Sequence, residues 1–268
     1  MRKSFVFSAA MLAVAGISAT VFAADTGTRN NEVFGGSHVP TYSSPAEGGF
    51  TEQFETGLPS VAPLPNHGTP TALTLASGTW WAHNRSTPIG STGVFQQGGT
   101  GAPFPAAPGN GTFYAAMNFN NGAGLATINT FLMSPVKTFN NGDTISFDTR
   151  TVNAPAFPDR LRLRLSQNGA STDTNDFTTI LLTVNPALTA AGYPSVWTNF
   201  TATLSGLPSG GVTGRFAFHY DVPNGGPSGA NSDFIGIDNV VCTAIPEPGS
   251  MLALMGVAGL ALVRRRTA

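Results

Sequence analysis

Four histidines, one cysteine and a scatter of acids are the groups in this chain that could do covalent or acid–base chemistry. A hydrolytic triad needs a nucleophile, a base and an orienting group within hydrogen-bond reach. No serine lies in a Gly-x-Ser-x-Gly elbow, and His38, His67, His83 and His219 stand far apart in sequence. His38 falls in a polar leader and His67 in a Pro-rich loop, while His219 alternates with aromatic residues and is expected to face solvent. No histidine pair has the short spacing of a zinc site, and Cys242 alone makes neither a disulfide nor a thiolate cluster. Paired carboxylates for glycoside hydrolysis are the remaining catalytic option. Glu52 and Glu55 are three residues apart on one strand and so point to opposite faces. Asp143, Asp173, Asp176 and Asp233 lie in Asn/Gly/Ser loops, where solvated carboxylates are the ordinary reading.

Binding chemistry is better represented than catalysis. Arg160, Arg162 and Arg164 alternate with Leu161, Leu163 and Leu165, so one strand face carries three guanidinium groups. Such a stripe would suit an anionic polysaccharide through bidentate contacts; a solvated face with cross-strand acids such as Asp148 is the competing reading. Trp80, Trp81 and Trp197 are sugar-stacking candidates or core residues. Adjacent Trp80 and Trp81 must face opposite sides, which leaves one of them for a ligand. Cys242 follows an apolar run and reads as a buried thiol.

The elements that would position these residues are strands. With 32 Gly and 20 Pro in 268 residues the chain is rich in turns, while 41% apolar residues suffice for a core. Ten strands are expected, at 50–54, 79–82, 112–119, 125–132, 144–150, 160–166, 177–184, 196–204, 214–222 and 234–242. Asn140-Asn141-Gly142-Asp143 between apolar runs predicts a tight turn. No amphipathic helix of ten residues shows between these runs, which points to an all-β, two-sheet antiparallel sandwich.

The two ends carry addresses. Arg2 and Lys3 before an apolar run to Phe22 and small residues at Ala23 and Ala24 make residues 1–23 a secretory signal peptide. Residues 24–49 are polar, without periodicity, and are expected to form a flexible leader to a body at 50–244. At the other end Pro246-Glu247-Pro248 precedes an uncharged stretch from Gly249 to Val263, then Arg264-Arg265-Arg266. That stretch is shorter than the roughly 20 residues of a comfortable transmembrane helix. The arginines favour a cytoplasmic end, so the tail would insert transiently in the inner membrane as a short hydrophobic helix. Without both ends the body carries eight Lys/Arg against thirteen Asp/Glu, a net of −5, which disfavours nucleic acid as a partner.

The tail at 245–268 resembles the PEP-CTERM sorting signal of Gram-negative bacteria. The resemblance implies a membrane-embedded exosortase that recognises Pro246, Glu247, Pro248 and the arginine cluster and cuts near the Pro-Glu-Pro. Glu247 is then a substrate residue, not a catalyst. The body carries a second resemblance, in the order of Phe54-Glu55, Trp80-Trp81, Phe131-Leu132-Met133-Ser134-Pro135, Arg160 to Ser166, Arg215 to Phe218 and Ile235 to Val240. It is similar to the choice-of-anchor J domain, related to cleaved-adhesin and MAM-like jelly rolls. Phe131-Leu132-Met133-Ser134-Pro135 departs from that family's Trp-Leu-x-Thr-Pro. Related jelly rolls hold a structural Ca²⁺ between an early-strand acid and an acid near the last strand. Here that implies Glu52 or Glu55 with Asp238, assisted by Asp159, the alternative being that Asp238 bonds loop amides. Three function classes stay open: an exported, non-enzymatic surface or matrix protein associated with exopolysaccharide, which leads; a carbohydrate-binding module; and a secreted glycan or ester hydrolase.

Overall fold

A computed structural model describes residues 48–60, 68–91, 95–99, 103–109 and 111–245. The expected signal peptide, nearly all of the leader, and the sorting residues Pro246, Glu247, Pro248 and Arg264 to Arg266 lie outside the described residues. Among those described, no helix is long and apolar enough to cross a membrane.

The strands are β1 (Phe50–Glu52), β2 (Thr71–Leu75), β3 (Gly78–Asn84), β4 (Thr87–Ile89), β5 (Gln96–Gly98), β6 (Tyr114–Asn118) and β7 (Gly122–Met133). They continue as β8 (Lys137–Phe139), β9 (Thr144–Thr151), β10 (Leu161–Ser166), β11 (Thr179–Val184), β12 (Thr198–Thr203), β13 (Val212–Gly225) and β14 (Phe234–Thr243). One sheet has six strands in the order β12-β9-β14-β6-β5 with β1 on β14. The other has eight, in the order β11-β10-β13-β7-β3-β2, with β4 on β7 and β8 on β13. Every pairing is antiparallel. The late chain switches sheets repeatedly, so β13 and β14 each enter the middle of a sheet between strands distant in sequence. This is the all-β two-sheet sandwich expected from the turn-punctuated strand pattern.

Alternation sorts the side chains. Leu161, Leu163 and Leu165 of β10 and Phe216, Phe218 and Tyr220 of β13 point between the sheets and are fully buried. From the six-stranded sheet Ile145, Phe147, Ile235, Ile237 and Val240 meet them. Trp80 sits at the centre of this core, stacked on Phe218 at 6.4 Å and edge-on to Phe54 at 5.7 Å. Apolar burial of this kind supplies the main drive to fold, about 1.5–3 kcal/mol per large side chain.

Four strands, β2, β4, β5 and β8, were not expected from the sequence. Three of them have only three residues, too few for a period-2 pattern to register. The turn at 140–143 forms as expected. Gly142 takes φ +93°, the Asp143 N–H donates to Asn140 O at 3.2 Å, and Asp143 Oδ2 accepts from the Asn140 N–H at 3.0 Å. The other oxygen, Oδ1, accepts the N–H of Ile245 at 2.8 Å, tying the end of the last strand to this turn. Lys137 is buried beside it, with Nζ 3.9 Å from Asp143 Oδ2.

Candidate functional site

The outer face of the eight-stranded sheet collects the arginines. Because β10 buries its leucines, Arg162 and Arg164 project outward, and Arg160 joins them just before the strand. Across the β10–β13 ladder Arg162 pairs with His219 and Arg164 with Ala217. Asp221 of β13 lies 3.0 Å from both Arg160 Nη2 and Arg162 Nε. Arg164 has no carboxylate in salt-bridge reach among the described residues, and burial and the neighbouring Arg162 charge pull its pKa down. One carboxylate therefore serves two of the three guanidiniums and leaves the third without an ion pair, so the face stays electropositive on an acidic body.

His219 is a correction. It lies on this outer face but is only 5% exposed, because Phe131 stacks on its ring at 4.0 Å and the arginines crowd it. Nε2 meets Asn129 Oδ1 at 2.8 Å. Burial first, then the three arginine charges, push its pKa well below the usual value, so it stays neutral. Trp81 also faces outward, half-buried against Phe131, Met133, Phe177 and Ala217.

Trp80 is the second correction. With 0% exposure it cannot contact a ligand, and its Nε1 donates to Ser77 Oγ at 2.8 Å. The Ser77 hydroxyl in turn donates to Glu52 Oε2 at 2.7 Å. Glu52 also accepts the N–H groups of Phe54 and Ser77, at 2.9 and 2.8 Å. Its carboxylate is thus a buried fastening between β1 and the loop before β3.

Glu55 and Asp238 do come near one another, on the outer side of the six-stranded sheet. Glu55 Oε1 accepts the N–H groups of Thr112 and Phe113, both at 2.9 Å. Asp238 accepts from the N–H groups of Ala107 and Asn239, at 3.1 and 2.8 Å. Burial, together with the charges of Asp148 and Glu55, raises the Asp238 pKa to about 7. Asp159 does not join them. It is buried between the sheets, where Tyr220 Oη, the Asp233 N–H and Thr151 Oγ1 donate to it. Among the described residues no group of three His, Cys, Asp or Glu side chains is placed to hold a metal; Glu55 lies near Asp238, while Glu52 and Asp159 are bonded elsewhere.

Beside Asp238 the outer face carries a ring cluster. Phe104 stacks on Tyr114 at 5.1 Å, Trp197 meets both edge-on, and the Arg150 guanidinium covers Phe104 at 4.3 Å. Gly236 makes room for it: a Cβ there would lie 2.8 Å from both Phe104 and Trp197. Next to the cluster Asp148 is held by two amides, Asn199 Nδ2 at 2.8 Å and Asn239 Nδ2 at 2.6 Å. A bulge in β14 between Asp238 and Val241, with Asn239 at φ +50°, turns Asn239 toward Asp148. Sequence reasoning missed this amide–carboxylate group. Asp238-Asn239 inside an apolar strand was its one visible sign, since Asn tolerates positive φ where a β-branched residue does not.

Residues 244–266 match the PEP-CTERM protein-sorting motif. The PEP-CTERM match begins directly after the last strand, which ends at Thr243, and it marks an exported chain sorted to the cell surface or exterior. No curated protein matches the chain in sequence. Solved structures similar to it include the K1 cleaved adhesin domain of Lys-gingipain from Porphyromonas gingivalis W83. That pair shares 20% identity over 74% of this chain and 99% of that one, with a TM-score of 0.43. The K3 cleaved adhesin domain of the same protein is similar at 20% identity over 72% and 96%, TM-score 0.42. A family 11 carbohydrate-binding module from Clostridium thermocellum, in complex with a β-1,3-1,4-mixed-linked tetrasaccharide, is similar at 13% identity over 75% and 99%, TM-score 0.38. At these identities the likeness is one of fold.

Proposed function

We propose that this protein is a non-enzymatic surface or matrix protein of a Gram-negative bacterium, processed at its tail by exosortase and associated with exopolysaccharide. The PEP-CTERM match at 244–266 carries the reading. Two prolines flank Glu247 and lack the N–H that a helix interior needs, which suits a recognition sequence placed just before the uncharged stretch. The state of the reactive side chains supports a role without catalysis. His219 is buried and neutral, Glu52 is filled by donors, and Asp238 is bonded to backbone. Mass spectrometry of the protein from its host tests the reading. The mature chain should begin after Ala23 or Ala24 and end near Pro246–Pro248; recovery of an intact tail would overturn it.

A second reading, a dedicated carbohydrate-binding module, is favoured by one observation. Arg160 and Arg162 share the carboxylate of Asp221, and Arg164 beside them has no carboxylate in salt-bridge reach among the described residues, on the same outer face as the half-buried Trp81. Saturable binding of an acidic glycan, lost in Arg162→Gln or Trp81→Ala, would support it.

A further inference from the structure

The six-stranded sheet has an outer cleft that the arginine face does not account for. It lies where β1, β14, β9 and β12 run side by side, has a volume of about 360 Å³, and is lined by Thr51, Gln53, Ser146, Asn199, Asn239 and the valines 240 and 241. Register explains the grouping. Thr51 and Ser146 both lie opposite Val241, and Asn199 lies opposite Asp148.

We propose that this cleft is a binding subsite for a neutral sugar residue of a polysaccharide, an inference that rests on the reading of polysaccharide as the protein's partner. The volume falls within the range of about 300–1,000 Å³ typical of small-molecule sites. Its lining contains hydroxyls and amides and no Lys or Arg. Amides and hydroxyls offer both donors and acceptors, which is what the hydroxyl pairs of a sugar require, since each donates and accepts. Asp148 adds a carboxylate beside the cleft, fixed in advance by Asn199 and Asn239, so it needs little reorganisation to accept a ligand hydroxyl. The carboxylate of Asp148, held by the lining amides of Asn199 and Asn239, repels anionic ligands and so favours an uncharged one. Trp197, two residues before Asn199, supplies an aromatic surface close to the cleft; its Nε1 is fastened to Pro105 O at 3.0 Å.

The left-handed Asn239 agrees with this role. A non-glycine residue at φ +50° in a bulged central strand is costly, and such strain collects at binding sites. Here it aims an amide into the cleft while leaving the neighbouring Asp238 bonded to backbone.

Titration of the mature protein with cellohexaose, laminarihexaose and xylohexaose, against an oligogalacturonate hexamer as the anionic probe, tests the assignment. At least one neutral hexasaccharide should bind, and Asn199→Ala and Asn239→Gly should each weaken it by roughly tenfold or more, the effect of losing a hydrogen bond in a site built for it. Gly accepts φ +50°, so Asn239→Gly removes the amide and keeps the backbone. Gln53→Ala, at an exposed position just past β1, is the check if Asn239→Gly unfolds. Arg162→Gln should leave neutral-sugar binding unchanged. Neutral binding indifferent to all three cleft variants would overturn the subsite. Binding of oligogalacturonate alone, lost in Arg162→Gln, would overturn the subsite and leave the polysaccharide reading standing. Failure of every saccharide to bind would overturn both.

Discussion

The phenol of Tyr220 donates its hydrogen to Asp159 in the space between the two sheets, a carboxylate–hydroxyl contact 61 residues apart in sequence. Thr151 Oγ1 at 2.7 Å and the Asp233 N–H at 2.8 Å complete the shell. These donors favour the ionised carboxylate, yet burial outweighs them and lifts the Asp159 pKa from 3.8 to about 6. The folded state thus holds this proton more tightly than the unfolded chain does. Its contribution to stability is largest below pH 4, shrinks as pH rises from about 4 to about 6, and is flat above that. Chemical denaturation of wild type and Asp159→Asn between pH 4 and pH 8 should show their difference changing by on the order of 3 kcal/mol across that window. A pH-independent difference would mean that Asp159 ionises normally.

The two adjacent tryptophans separate packing from surface. Trp80→Ala should cost about 3–5 kcal/mol, because it empties the middle of the core and strands Ser77 and Glu52. Trp81→Ala, on the half-buried outer face, should cost clearly less. Equal midpoint shifts in urea would contradict the facing of these residues.

Asp221 restrains the arginine face more than it stabilises the sandwich. Its two ion pairs are partly exposed, at 14–26% side-chain exposure, so Asp221→Asn should change stability by no more than about 1 kcal/mol. Retention on an immobilised polyanion should rise in the variant and fall again with added salt. Unchanged retention would show that these guanidiniums are not available to ligands.

Gly236→Ala tests the ring cluster. A Cβ would press on Phe104, Trp197 and Tyr114, so the variant should lose about 1–3 kcal/mol from overpacking and shift the Trp197 fluorescence. A neutral substitution with unchanged emission would argue against the close approach.

The strands that position the core were readable where alternation ran long, as in Leu161 to Leu165 and Phe216 to Tyr220, but the five residues of β2, with only Leu73 and Leu75 turned inward, were missed. Three-residue strands such as Lys137–Phe139 carry no period and could not be read. Outward or inward facing was harder. Trp80 and Trp81 have the same residue type, and only the register of β3 against β7 sends Trp80 into the core. Glu52 illustrates a different limit. A carboxylate on an early strand looks like a ligand until its donors are seen, and Ser77 lies 25 residues away with nothing in the sequence to join them. The amides around Asp148 come from two other strands, so their meeting is a property of sheet order rather than of any local motif.

The bond from Asp143 to Ile245 leaves almost no slack before the membrane signal. Between that pinned residue and Gly249, where the uncharged stretch begins, the backbone spans four steps, at most roughly 14 Å when fully drawn out. The sorting motif matched at 244–266 therefore begins at the very edge of the sandwich, one residue before the fastened Ile245.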